Sequence, residues 1–225
     1  MKVFGIDPAK KPCDIANKKG IKTINNFFFK KISSQIKKKY GKFDFITSHN
    51  VLAHTENIQE IFLSIHDLLK EDAYFCFEIG YFKDVVKYNL FDTIYHEHLD
   101  YHHAKPLVNF LQQIGFSIID LSTNTIQGGT LRLLLQKRKR EIKIKKIERF
   151  IRNEKKFFNK INIKTRLLNF KKILLKLNSQ IKKEIKKNKK IYAAGSPTKA
   201  SLLLINSKLN INFVKNSIED NLLKC

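Results

Sequence analysis

Phe43-Asp44-Phe45-Ile46-Thr47-Ser48-His49-Asn50-Val51-Leu52-Ala53-His54 opens with five residues of strand composition and runs on into a short polar segment. Behind it, Asn57–Leu69 places Ile58, Ile61, Phe62, Ile65, Leu68 and Leu69 on one helical face. Tyr74–Ile79 then returns as an apolar strand. Strand, helix and strand make a βαβ unit, and the same alternation extends outward on both sides. Upstream, Val3–Ile6 reads as a strand, Asp14–Lys19 as a helix, Lys22–Ile24 as a brief strand and Ser33–Tyr40 as a second helix. Downstream, Pro106–Ile114 reads as a helix, and Phe116–Leu121 and Leu131–Gln136 as a pair of strands around the turn Gln127-Gly128-Gly129. Residues 1–136 are therefore expected to form an α/β domain on a mostly parallel, doubly wound sheet.

Residues 137–190 have a different character. They are lysine-rich, lack Gly and Pro, and carry apolar residues such as Ile147, Phe150, Ile151, Leu174 and Leu177 at helical spacing. One or two long amphipathic helices are expected, as a connector with a solvated lysine face. Residues 191–225 restart the alternation, with a strand at Ile191–Ala194, a turn at Gly195-Ser196-Pro197-Thr198, a helix at Lys199–Ile205 and a strand at Ile211–Val214. That is the start of a second α/β domain. A single β-α-β piece is too small to be stable alone, so the C-terminus reads as cut short.

The formal net charge of +24 invites a nucleic-acid reading. Six of the 44 basic residues are arginine, and the lysines travel with isoleucine and asparagine along the whole chain. That is the imprint of AT-rich coding. Specific nucleic-acid sites lean on arginine, so no dedicated nucleic-acid partner is expected. The charge favours anionic partners in general, nucleotide diphosphates included. No apolar run of about 18 residues exists, so no membrane span is expected. Neither is a secretory signal. Cys13, Cys76 and Cys225 are far apart and form no CxxC pair. This argues against a structural metal site and for a reducing, cytoplasmic setting.

Several segments could carry chemistry. Asp7, in Gly5-Ile6-Asp7-Pro8, follows a strand end, where an acid can hold the hydroxyls of a ribose. It can equally cap the helix that follows. The glycine-rich loop expected before such a strand is absent, which reads as a truncated N-terminus. The segment Ser48–His54 lies on the ligand-binding edge of the sheet, and His54 there is either a site residue or an ordinary polar residue before the helix. Phe91-Asp92-Thr93-Ile94-Tyr95-His96-Glu97-His98-Leu99-Asp100-Tyr101 is the densest cluster. Histidine suits proton abstraction near neutral pH, and tyrosine can hydrogen-bond an enolate oxygen. The spacing of His96, His98, His102 and His103 matches no zinc signature. Gly128-Gly129 with Arg132 can approach an anion, or can simply turn a hairpin. Lys199, after the Gly195 turn, could likewise meet phosphate.

Taken in order, GIDP, NVLAH, FDTIYHEHLDY, GGTLRL and AAGSPTK resemble the bacterial sugar C-methyltransferases, from residue 3 to about 215. The YHEH segment together with GGTLRL is the specific part of the resemblance. It implies a class I methyltransferase fold, here as an incomplete Rossmann-like sheet, followed by a Rossmann-like C-terminal domain. It also implies S-adenosylmethionine as cofactor and a nucleotide-linked keto-deoxysugar as substrate. By position, His98 resembles the general base that removes the proton beside the keto group. Tyr95 and Glu97 resemble residues that position it or stabilise the enolate, and His54 a further active-site contact. Asp7 and Asn50 fall where the cofactor is held, and Gly128, Gly129, Arg132 and Lys199 on the substrate side. The enolate would then take a methyl group in line, with no metal at the reacting centre. The alternatives are an inactive remnant of such an enzyme, or a basic nucleic-acid-binding protein that uses residues 137–190.

Overall fold

The structure, a computed structural model, describes residues 2–138, 144–187, 189, 192–195, 200–208 and 217–218. The first half runs β1 (Phe4–Asp7), α1 (Lys10–Lys18), β2 (Lys22–Asn25), α2 (Lys30–Tyr40), β3 (Phe43–His49), α3 (Ile58–Leu68) and β4 (Leu69–Gly80). It continues through α4 (Phe82–Tyr88), α5 (Ala104–Ile114), β5 (Phe116–Asn124) and β6 (Thr130–Lys137). Two long helices follow, α6 (Lys145–Lys160) and α7 (Ile163–Lys186). Then come the short β7 (Ala193–Ala194), α8 (Ala200–Asn206) and β8 (Ser217–Ile218).

The centre is the sheet β3-β4-β6-β5. In β4, every second residue from Ala73 to Ile79 points into the core, as the two-residue strand period requires. Leu131, Leu133 and Leu135 of β6 do the same. α3 lies on this face. Asn57 starts it by accepting a hydrogen bond from the Glu60 amide at 3.0 Å. Its Phe62 is fully buried and meets Phe75, Phe77 and Phe110 edge-on at 5.9, 5.3 and 5.7 Å between ring centres. A phenylalanine so placed contributes about 1.5–3 kcal/mol of burial, and truncating it to alanine costs about 3–5 kcal/mol.

The sheet is mixed rather than mostly parallel. β1–β2 and β3–β4 pair in parallel, whereas β4–β6 and β5–β6 are antiparallel. The cause is the short connection through Gly128-Gly129. It can only fold β5 back on β6 as a hairpin, whereas a parallel neighbour needs a crossover of a dozen residues or more. The β1–β2 pair is a separate two-stranded sheet. A smaller core of Ile32, Ile36 and Leu68, with Phe4, Ile24 and Phe43 packed on it, fastens that pair to the rest.

Several elements exceed their expected ranges. α1 begins at Lys10 and carries Pro12 in its first turn, where proline is tolerated. α4 has no counterpart in the sequence reading. The connector is two helices, separated at Ile161–Asn162, where the Asn162 side chain caps α7 by accepting from the Thr165 amide at 3.0 Å. α6 packs on the main core through Ile147, Phe150 and Ile151. Of the second expected domain, β7 and β8 pair in parallel. The turn residues 196–199 and the strand expected at Ile211–Val214 lie outside the described residues. Among the described residues, no helix is long and apolar enough to cross a membrane.

Candidate active site

Two cavities lie at the C-terminal ends of β1, β3 and β4. A groove of about 610 Å³ runs between the end of β1 and the end of β3, lined by Asp7, Phe28, Ile46 and Ile65 among others. A small cavity of about 70 Å³ lies deeper, under the 91–101 segment, lined by His98, Asp100, Tyr101, Gly128 and Gly129 among others. Asn50 and His54 line both, so the two spaces meet there.

The backbone accounts for that meeting point. Leaving β3, Asn50 takes a left-handed conformation (φ 52°) and donates its amide to the Glu78 carbonyl at 3.0 Å. Asparagine tolerates this conformation better than most residues. Leu52, 2% exposed, anchors the short 3-10 turn Leu52–His54. The neighbouring segment is pinned to this turn by the Leu99 amide, which donates to the Ala53 carbonyl at 2.9 Å.

Both histidines have their ring orientation set by a carbonyl. His98 Nδ1 lies 2.8 Å from the Thr93 carbonyl, and His54 Nδ1 lies 2.8 Å from the Glu97 carbonyl. A carbonyl only accepts, so Nδ1 carries the proton in each and Nε2 keeps its lone pair. The two rings are 5.0 Å apart. The Tyr95 ring lies tilted beside His98 at 4.5 Å, with its hydroxyl 3.4 Å from His98 Nε2. Burial, and then the charge of Glu97, push the Tyr95 phenol above its usual range, so it stays a hydrogen-bond donor. Glu97 reaches the site both through its backbone carbonyl on His54 and through its carboxylate, which accepts from the Tyr95 hydroxyl.

On the opposite wall, Gly128 and Gly129 both have positive φ, 89° and 122°. A Cβ on Gly129 would stand 2.5 Å from Asp84 Oδ2, and one on Gly128 2.8 Å from Leu90 Cδ1. The turn thus presses against α4 with no room for side chains. The Tyr81 amide holds it by donating to the Gly129 carbonyl at 3.0 Å.

Arg132 does not face this turn. Its guanidinium holds Glu78, with Nη2 at 2.5 Å and Nε at 2.6 Å from Oε1. Asn124 Nδ2 donates to the same oxygen at 3.0 Å, and His49 Nδ1 lies 3.3 Å from Oε2. Burial works to raise the Glu78 carboxyl, but the hydrogen bonds and charges of Arg132 and His49 outweigh it and hold the group below its usual range. Glu78 and His49 were absent from the sequence-derived candidates. The available signal was a lone acid in the apolar strand Tyr74–Ile79.

Asp7 sits at the end of β1, lines the groove and accepts the Ala9 amide at 2.7 Å. Its local turn and its place in the groove coexist. Lys199 lies outside the described residues. Among the described residues, no three metal-ligating side chains converge.

A family model described as a methyltransferase domain matches residues 1–121, and one described as a C-methyltransferase C-terminal domain matches residues 125–225. The C-methyltransferase NovU of Streptomyces niveus is 30% identical over 130 residues, covering 58% of this chain. This chain spans 31% of that relative's length. Among solved structures, a putative S-adenosylmethionine dependent methyltransferase from Listeria monocytogenes aligns with a TM-score of 0.47 and 13% identity, over 61% of this chain and 80% of that one. A SAM-dependent methyltransferase from Anabaena variabilis aligns at 0.48 and 15%, over 61% and 68%. With a family match over more than half of its length, the chain belongs to the methyltransferase-domain family.

Proposed function

We propose that this protein is an S-adenosylmethionine-dependent C-methyltransferase acting on a nucleotide-linked keto-deoxysugar. The observation that carries the reading is the pair of imidazoles, His98 and His54, each held through Nδ1 by a backbone carbonyl, with the Tyr95 hydroxyl beside His98 Nε2, at the junction of two cavities. The outer groove fits the cofactor. Its volume is in the range of small-molecule sites, it is lined by apolar side chains, and Asp7 and Asn50 stand at its polar end. S-adenosylmethionine, when bound, supplies an electrophilic methyl group on a sulfonium. Asp7 accepts hydrogen bonds from the ribose, and Asn50 borders the reacting end.

The remaining steps belong to the chain's own side chains. His98 Nε2 takes the proton from the carbon beside the keto group, while Thr93 holds the ring through Nδ1. Tyr95, kept protonated, donates a hydrogen bond to the oxygen on which negative charge develops. His54, fixed by the Glu97 carbonyl, packs beside His98 and borders the path between the cavities. The enolate carbon would take the methyl group as the sulfur–methyl bond of the sulfonium breaks, its electron pair staying on sulfur as a neutral thioether, and the proton remains on His98 until released to solvent. Gly128 and Gly129 form the wall opposite the base. On the substrate side Lys199 keeps its proposed role toward phosphate, whereas Arg132 acts there only through Glu78.

The test is calorimetric titration of the purified chain with S-adenosylmethionine, followed by methyl-transfer assays on keto-deoxysugar nucleotides. One-site binding and a product one methylene heavier are expected. His98→Ala should lower turnover by about 10²–10⁴-fold while leaving cofactor affinity unchanged. It should also abolish deuterium uptake at the substrate's acidic carbon. A folded chain with no saturable cofactor binding overturns the reading.

A further inference from the structure

The segment that carries His98 runs as loop from its 3-10 turn Phe91–Thr93 to the start of α5 at Ala104. Both of its ends are fastened by the connector helices. At the upstream end Phe91 is buried and meets Phe170 of α7 at 5.7 Å between ring centres. At the downstream end Glu154 of α6 accepts the amides of Ala104 and Lys105 at 2.7 and 3.2 Å and lies 3.1 Å from His103 Nδ1. Phe158, one turn along the same helix, stacks on Phe82 at 6.1 Å and packs beside His103 at 5.2 Å. His103 occupies the N-cap position of α5, yet its own side chain does not cap the helix. The acceptor is brought in from another helix and is buried there. Burying a carboxylate costs several kcal/mol of solvation unless partners replace the water, whereas a cap from residue 103 itself would leave the group in solvent.

The downstream end is also joined to the wall of the His98 cavity. The Phe82 amide donates to the His102 carbonyl at 2.9 Å, and Tyr81 forms a parallel bridge with His102. Tyr81 holds the glycine turn through its amide, and it lines the cavity together with Asp100 and Tyr101. Its ring is buried next to Glu154. Burial, and then the charge of that carboxylate, hold the Tyr81 phenol well above its usual range, so the hydroxyl stays protonated. One buried carboxylate therefore ties together the end of the His98 segment, the first turn of α5 and the residue that leaves β4. Glu154 lines neither cavity, so it cannot act on a ligand directly. We propose that Glu154 is a positioning residue for proton transfer at His98: by locking residues 102–105 against Tyr81 it sets where the His98 imidazole stands. The inference rests on the reaction proposed above. A displacement of about 1 Å at a reacting group can cost about 10²-fold in rate.

The test is nitrogen NMR of the imidazole rings in the full chain, without ligand, for Glu154→Ala, Glu154→Gln and Asn57→Ala. The last removes the cap of α3 and serves as a variant weakened elsewhere. In the parent chain the His98 signal should be that of a single tautomer, protonated at Nδ1 against the Thr93 carbonyl. Glu154→Ala should release the segment and give His98 a mixture of tautomers. Glu154→Gln keeps one acceptor oxygen and should fall between, and it carries the test if the alanine variant does not fold. Asn57→Ala should leave the His98 signal as it is. In methyl-transfer assays below every unfolding transition, Glu154→Ala should lower kcat by about tenfold or more, with KM and cofactor affinity within about twofold. An unaltered His98 signal in the folded Glu154 variants, or an equal change in Asn57→Ala, overturns the proposal. A Glu154-dependent His98 signal in a chain that transfers no methyl group leaves the positioning role standing and removes the reaction assigned above.

Discussion

Glu78 is 4% exposed, yet it touches three chain segments at once, through His49, Asn124 and Arg132. Its own carbonyl accepts the Asn50 amide, so the same residue fixes the turn that borders the groove. Glu78→Gln keeps the shape and removes the charge. The half-exposed Arg132 then loses its counter-ion, and the variant should be less stable by about 2 kcal/mol in urea unfolding. Cofactor affinity should fall with it, because His49, which lines the groove, loses its carboxylate partner, while Asn50 keeps the backbone carbonyl of residue 78. An unchanged midpoint would show that Arg132 is as well accommodated by water. Single residues were unevenly legible. His54 and Asn50 line the cavities as expected of polar residues just past a strand, where α/β folds bind ligands, and His98, singled out by the density of its cluster, lines the smaller one. Arg132 pairs with Glu78, a partner that its sequence position beside a turn does not reveal, because a sequence does not show which way a strand side chain points.

Among the elements, α6 reaches back to hold the start of α5. Its Glu154, 1% exposed, accepts the amides of Ala104 and Lys105 at 2.7 and 3.2 Å and lies 3.1 Å from His103 Nδ1. The carboxylate thus caps the first turn of α5 from a different helix, where a negative charge also complements the helix dipole. Glu154→Ala should cost about 2 kcal/mol, seen as a lower denaturation midpoint, while a change at the exposed Lys155 should leave it nearly unmoved. The helices α3 and α5 and the hairpin β5–β6 were readable because each pairs a clear period with a stop signal. α4 was not, since seven residues give too short a periodic signal. The expected connector could be seen to be helical, but its packing on the first domain depends on Ile147, Phe150 and Ile151 meeting residues far away in sequence.

At the scale of the whole molecule, proton uptake links stability to pH. Burial is the main cause that holds His66 and His102 below the usual imidazole range. The folded protein keeps both rings neutral where the unfolded chain would protonate them. Unfolding therefore takes up protons as pH falls through the ordinary histidine value, and stability should decline from about pH 7 to about pH 5.5. Glu78, held below the usual carboxylate range, adds a further loss only in more acidic solution. Urea midpoints measured across this interval check the trend, and His66→Phe should flatten part of it. Parallel loss of slope in an unrelated surface-histidine variant would point to another source. Net charge, by contrast, was legible at once and says little about the fold, because lysines spread along a chain describe its surface.

The separation of β1 and β2 from the central sheet makes this a molecule with two unequal anchorages. No β1 or β2 residue is fully buried, and the pair is held mainly by the small core around Ile32, Ile36 and Leu68. Their amides should therefore exchange with solvent through a partial opening that leaves β4 and β6 closed. Asp7, the groove's acid, rides on that looser layer. A ligand that bridges Asp7 and Asn50 would draw the two layers into one cooperative unit, so that occupancy of the groove is written into the exchange rates of strands that never touch the reacting carbon.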